Sequence, residues 1–174
     1  MNAVTPDRVR SRASLATRSL LGAAWFELWF FAVFPVLVLW WSGRGWSLQW
    51  GLHAVAGAAL IAGAHVALIS EIVAFVKRGG GTHLPFDPPT SLISGGLYSR
   101  VRNPMYASYI AIAIGEAIAY RSWALLAYCV ALAALIHFYV VRFEEPALRR
   151  RFGREYERFV ASTGRWFPRT RGGS

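Results

Sequence analysis

Charge is the first thing this chain has little of. Only 16% of its 174 residues are charged, while 55% are hydrophobic and 15% aromatic. A soluble domain of this length carries roughly 25% charged residues. Cysteine is almost missing. The single Cys129 lies in an apolar run, which excludes a disulfide framework and a thiolate zinc site. Metal-ligand spacing is missing too. His53 and His65 stand twelve residues apart with no carboxylate at ligand spacing, so no metal is assigned. Gly79-Gly80-Gly81 is a glycine run of the kind that cradles phosphate, but it lacks the lysine-serine ending of a P-loop. With Pro85, Pro88 and Pro89 after it, the run reads as a flexible connection or a lid. His83 and Asp87 lie in that connection and could titrate near a substrate. Acidic residues are scarce beside basic ones, and the net charge is +10. In a soluble chain that excess points to nucleic acid. Here the apolar stretches are too long for a soluble core and the basic residues flank them. The implied partner is the lipid bilayer, not nucleic acid.

What is present is long apolar sequence. Four segments approach the roughly 20 residues needed to cross a bilayer: about Ser19 to Trp41, Leu48 to Val76, Pro104 to Tyr120 and Trp123 to Val141. The first is too long to be a cleavable signal peptide. The flanking charges set the topology. With four crossings, 17 of the 19 basic residues fall on one side, and only Arg44 and Arg121 on the other. The positive-inside bias puts the rich side, with both termini, in the cytosol. In a prokaryote the membrane would be the plasma or inner membrane. Three or five crossings would split the basic tails across the membrane. The expected fold is therefore an all-α integral-membrane helical bundle of about four transmembrane helices. Its parts are a basic N-terminus (1–18), two helices (19–77), a cytosolic loop (78–103) and a hairpin with a C-terminal segment (104–174), in one domain.

Local signals refine this. Arg121-Ser122 is so short that the last two spans must form an antiparallel hairpin. Pro35 predicts a kink in the first span. Ala54, Ala58 and Ala62, with Ala59, Gly63 and Ala67 beside them, predict close helix packing in lipid. Asn103 is a good side-chain N-cap, and Pro104 suits the first helical position. Glu145 to Thr163 reads as one amphipathic helix, with Leu148, Phe152, Tyr156, Phe159 and Val160 on its apolar face and arginines opposite. Such a helix can lie on lipid whatever the function.

The hairpin brings Arg102, Asn103 and Tyr106 towards Arg142, Glu144 and Glu145. A family resemblance attaches to these residues. Gly95-Gly96-Leu97-Tyr98, Arg102-Asn103-Pro104-Met105-Tyr106, Arg142-Phe143-Glu144-Glu145, Leu148, Phe152-Gly153, Tyr156 and Arg165-Trp166-Phe167-Pro168 resemble the C-terminal half of the isoprenylcysteine carboxyl methyltransferase and phospholipid methyltransferase superfamily. The resemblance implies a cytosol-facing site for S-adenosylmethionine, enclosed by the helix-start motif and the Glu pair. It implies Leu97, Tyr98, Val101, Arg102, Asn103, Pro104, Tyr106, Glu144 and Glu145 around the cofactor, and Arg142 and Glu145 at the reaction. Many members carry His where this chain has Asn103. Asn cannot take up a proton near neutral pH, so a base at this position is not expected.

The residue types suit that cofactor on their own terms. Arg102 at a helix start suits a carboxylate. Glu144 or Glu145 suits an amino group or ribose hydroxyls, and Tyr98 or Tyr106 suits adenine or the sulfonium. The carboxylates within the spans are Glu27, Glu71 and Glu116, about 12, 9 and 18 Å deep at 1.5 Å per residue. Charge in lipid faces a cavity or a partner. Glu27 and Glu71 are the candidate pocket for a lipophilic or small membrane-soluble acceptor, and the resemblance implies Arg142 as a third member. Glu116 serves equally well as a link between helices. Prenylated cysteine, phospholipid amine, small thiol and isoprenoid acid stay open as acceptors. Two other readings stand beside methyl transfer: a non-catalytic membrane protein retaining the fold, and a nicotinamide-dependent reductase on a related membrane core.

Overall fold

The computed structural model describes residues 17, 20–43, 47–74, 77 and 91–169. Most of the basic N-terminal tail, Arg44, the glycine and proline connection with His83 and Asp87, and residues 170–174 lie outside the described residues. The described residues form helices and turns, with one isolated parallel bridge between Val101 and Gly164.

Helix α1 is Leu20–Trp41 and α2 is Leu52–Ala74. A 3-10 turn at Gly96–Ser99 leads into α3, Pro104–Ala119. Helix α4, Trp123–Tyr139, runs through a π-helical turn at Val140–Glu144 into α5, Glu145–Phe152, and α6 is Arg154–Ser162. Among the described residues, three helices are long and apolar enough to cross a membrane: Leu20–Trp41, Leu52–Ala74 and Trp123–Phe152. The 16 residues of α3 rise only about 24 Å. That helix is nonetheless the centre of the bundle. Met105, Tyr109, Ile112 and Ala113 are all buried on it, so its neighbours take the place of lipid.

The expected hairpin between α3 and α4 is observed. Arg121 adopts φ 47°, and the Ser122 N–H returns to the Ala117 carbonyl at 3.1 Å. Ser122 then caps α4, its Oγ accepting from the Leu125 N–H at 3.3 Å. Ala113 of α3 packs with Cys129, Leu132, Ile136 and Val140 across the hairpin. On its other side α3 meets Ala64, Leu68 and Ile72 of α2 and Ala23 of α1.

Three local expectations need correction. In α1 the chain does not simply bend at Pro35; it widens into π-helix over Leu28–Val33 just before the proline. Proline has no N–H for the carbonyl four residues back, so the preceding turns adjust. In α2 the close seam does not follow the two expected stripes: Ala58, Ala59, Ala62 and Gly63 are exposed and Ala67 is half-buried, and only Ala54 of them is buried. The seam runs through Gly57, where an added Cβ would lie 2.5 Å from the Gly115 carbonyl oxygen. Finally, Glu145 to Thr163 is two helices. Gly153, at φ 50° and ψ −122°, breaks them in a region that residues with a Cβ avoid. The apolar faces are covered by the chain itself: Tyr156 and Phe159 are buried against Ile93 and Tyr98.

Candidate functional site

One end of the bundle gathers both polar motifs. The chain enters α3 through Val101, whose backbone bridges Gly164, and the Arg102 N–H donates to the Gly164 carbonyl at 2.8 Å. Asn103 holds no side-chain cap. Its Nδ2 donates instead to the Arg165 carbonyl at 3.3 Å, which corrects the expected N-cap. The C-terminal segment has recruited the amide that would otherwise have turned back onto its own helix. Pro104 does open the helix as expected.

The same segment seals the Glu pair. Arg165 donates Nε to Oε1 of Glu145 at 2.7 Å and Nη2 to Oε2 at 2.9 Å. Arg102 Nη1 stands 3.3 Å from the same Oε1, with 9% of the Arg102 side chain and 7% of the Glu145 side chain exposed. One buried carboxylate thus lies between two guanidinium groups. The hydrogen bond to Glu145 raises the Arg165 pKa further above its ordinary value. Trp166 Nε1 donates to His137 Nδ1 at 3.0 Å, so the strap is also tied to α4. Arg102 Nε is buried and lacks a hydrogen-bond partner.

The adjacent carboxylate behaves differently. Tyr106 of α3 donates its hydroxyl to Glu144 Oε2 at 2.8 Å. Tyr98 is buried nearby on the 3-10 turn. Burial, with the charges of Glu71 and Glu144 behind it, holds the Tyr98 phenol well above its ordinary pKa. Tyr156 beneath is pushed up to about 12 by burial and by the Glu145 charge. Both phenols therefore stay protonated at neutral pH and offer hydrogen-bond donors, not bases.

Two concave spaces meet beside this cluster. A cavity of about 680 Å³ lies between the end of α2 and the 3-10 turn, lined by Ser70, Glu71, Lys77, Leu97, Tyr98 and Arg100 among others. A groove of about 420 Å³ runs between α2 and α3, and Glu71, Leu97 and Arg100 line it too, with Val101 and Pro104. Of the expected acceptor-pocket residues, Glu71 lines both spaces. Glu27 lines neither and pairs with His65 at 3.6 Å. Arg142 also lines neither and is exposed on the π-helical turn. Glu116, also outside both, has a buried Oε2 without a hydrogen-bond partner. No cluster of three or more His, Cys, Asp or Glu suited to a metal occurs among the described residues.

Two residues join the cluster beyond the site residues expected from sequence. Arg165 stands in the family-like Arg165-Trp166-Phe167-Pro168 run, but only the fold turns it back onto Glu145. Arg100 lies two residues before the motif, and its position between two cavities depends on where α2 ends.

Comparison with known proteins gives one positive result. The model of a family described as phospholipid methyltransferase matches residues 52–155, more than half of the chain, from α2 into the start of α6. No individual curated protein matches the chain.

Proposed function

Since the chain belongs to the phospholipid methyltransferase family, within the isoprenylcysteine and phospholipid methyltransferase superfamily, we propose that it is a membrane-embedded methyltransferase using S-adenosylmethionine and a lipophilic or small membrane-soluble acceptor. The observation that carries this reading is the meeting of two distant motifs at one end of the bundle. Tyr106 reaches Glu144 and Arg102 reaches Glu145 across the α3–α4 hairpin. Methyl transfer is an in-line displacement that rests on positioning and desolvation, and a buried polar cluster beside an apolar groove supplies both.

The residues present fit the donor. Arg102 has a buried Nε without a partner beside the start of α3, a setting suited to a carboxylate. Glu144, held by Tyr106, suits an amino or hydroxyl group, and the Tyr98 and Tyr106 rings suit a sulfonium or a base. Glu145, gripped by Arg165 and Arg102, orients that cluster. When bound, the cofactor supplies an activated methyl on sulfonium. The protein's part is to hold it, exclude water and present the acceptor from the membrane side. Arg142, exposed on the turn before the Glu pair, is the residue we expect to meet the acceptor's polar end at the rim.

Calorimetric titration of the detergent-purified chain tests the reading. S-adenosylmethionine should bind and NADPH should not. Absence of heat with millimolar S-adenosylmethionine would return the chain to the non-catalytic reading, and binding of NADPH alone would favour a reductase.

A further inference from the structure

Three charged side chains share one buried spot, and their charges do not cancel. Arg102 and Arg165 bring two positive charges to the single carboxylate of Glu145. Glu144, the next carboxylate, is turned to the Tyr106 hydroxyl. Tyr156 faces Arg102 and Glu145 from α6, but a protonated phenol cancels no charge. The two guanidinium groups are bound unequally. Arg165 gives Nε to one oxygen of Glu145 and Nη2 to the other, at 2.7 and 2.9 Å, so both oxygens are already served. Arg102 Nη1 stands 3.3 Å from Oε1 without forming a hydrogen bond, and its Nε has no partner either. Both of these nitrogens are buried. Buried donors without partners are costly. Arg102 is thus a buried cation whose donors are unspent.

An arginine beside a buried carboxylate often closes on it as a two-pronged pair. At Glu145 the second arginine has already taken that place. We infer that Arg165 is a positioning residue: by occupying Glu145 it keeps the Arg102 guanidinium free for an anion at the start of α3. This rests on the methyl-transfer reading, in which the anion is the methionine carboxylate of the cofactor, and Arg165 itself touches no ligand. When Arg102 turns to that anion, Glu145 keeps a partner, so no buried charge is left bare. Without the Arg165 side chain, Arg102 closes on Glu145, and the ligand has to break that pair. The strap does not depend on this side chain. The Arg102 N–H meets the Gly164 carbonyl, Asn103 Nδ2 meets the Arg165 carbonyl, and Trp166 meets His137.

The test titrates the detergent-purified full chain with S-adenosylmethionine and with its decarboxylated form. Arg165→Ala should weaken the first about ten- to hundred-fold, the scale of a charge-assisted hydrogen bond, and leave the second nearly unchanged. Arg165→Lys keeps the charge but not the planar fork, and should recover part of the loss. Trp166→Phe cuts the tie to His137 and spares Glu145, so it should bind both ligands as the wild type does. Equal loss of both ligands in Arg165→Ala, or the same loss in Trp166→Phe, would make Arg165 a fastening of the strap and overturn the inference. If Arg165→Ala does not fold, Arg165→Lys decides by the same comparison of the two ligands. Nitrogen-15 NMR of the arginine Nε–H groups, recorded without cofactor, keeps the two readings apart. The Arg102 signal, assigned by its loss in Arg102→Lys, should move downfield in Arg165→Ala as its donors meet a carboxylate. An unmoved signal overturns the inference. If the signal moves but the wild type never binds S-adenosylmethionine, the methyltransferase reading fails and the hold of Arg165 on Arg102 stands.

Discussion

Glu145 and Glu157 are both carboxylates paired with arginine, and their surroundings make them unequal. Glu145 is buried and shared by Arg102 and Arg165, whereas Glu157 meets Arg149 on an exposed face. Removing one partner of a buried ion pair costs about 3–5 kcal/mol. Exposed pairs contribute about 0–1 kcal/mol. Glu145→Gln should therefore lower the thermal unfolding midpoint clearly and weaken cofactor binding, while Glu157→Gln changes little. Matching midpoints and matching dissociation constants for the two variants would take Glu145 out of the cluster. Arg102 allows a finer distinction. If its guanidinium meets the methionine carboxylate, Arg102→Ala should weaken S-adenosylmethionine about ten- to hundred-fold, and Arg102→Lys should recover part of that. Decarboxylated S-adenosylmethionine should be largely insensitive to Arg102→Ala. Equal losses for both ligands would mean that Arg102 acts through the strap and Glu145 instead.

Among the helices, α2 has two small-residue faces with opposite duties. Gly57 lies against the Gly115 carbonyl oxygen and the Ala119 Cβ, and Gly115 lies against Ile61. Gly57→Ala should force α2 and α3 apart and cost about 1–3 kcal/mol, the usual range for overpacking. Gly63→Ala, one face away in open space, should not lower the unfolding midpoint and can raise it slightly, since glycine in a helix interior costs roughly 0.5–1 kcal/mol relative to alanine. If Gly63→Ala proves the more damaging, the seam and the groove have been exchanged. Gly153 is decisive in another way. Its backbone conformation lets α6 fold back so that Tyr156 and Phe159 cover Tyr98. Gly153→Ala should cost about 1–3 kcal/mol in backbone strain and loosen α6 before the bundle, which hydrogen exchange of α6 against α4 would reveal.

At the scale of the whole molecule, the strap closes the bundle. Residues 164–166 tie to the entrance of α3, to Glu145 and to His137, so three elements are held by one short segment. The basic residues bear on how the bundle sits in the membrane. With 17 of 19 on one side of a four-crossing chain, reporter fusions at Ser174 and in the Arg44 connection should report opposite compartments, with Ser174 cytosolic. The same compartment for both would refute four crossings, and the shortness of α3 would then take on a different meaning.

Apolar run length alone determined that this chain is a helical membrane bundle, because hydrocarbon leaves the backbone no partner but its own helix. The Arg121-Ser122 connection likewise determined that Arg102, Tyr106, Glu144 and Glu145 meet, since two helices joined so tightly must return to one end. Tertiary structure decided what the sequence pattern leaves degenerate. A stripe of small residues reads the same whether it packs a helix or lines a groove, so only the neighbours separate Gly57 from Gly63. Asn103 is an N-cap by residue type until a carbonyl 62 residues away claims its amide. Arg165 belongs to a recognisable run, but its partner Glu145 is fixed only when the break at Gly153 returns the chain to it. Glu27 and Glu71 read alike in sequence, yet Glu27 stands 3.6 Å from His65 whereas Glu71 is buried with neither oxygen hydrogen-bonded. In each case the deciding contact lies far away in sequence, and local propensity carries no record of it.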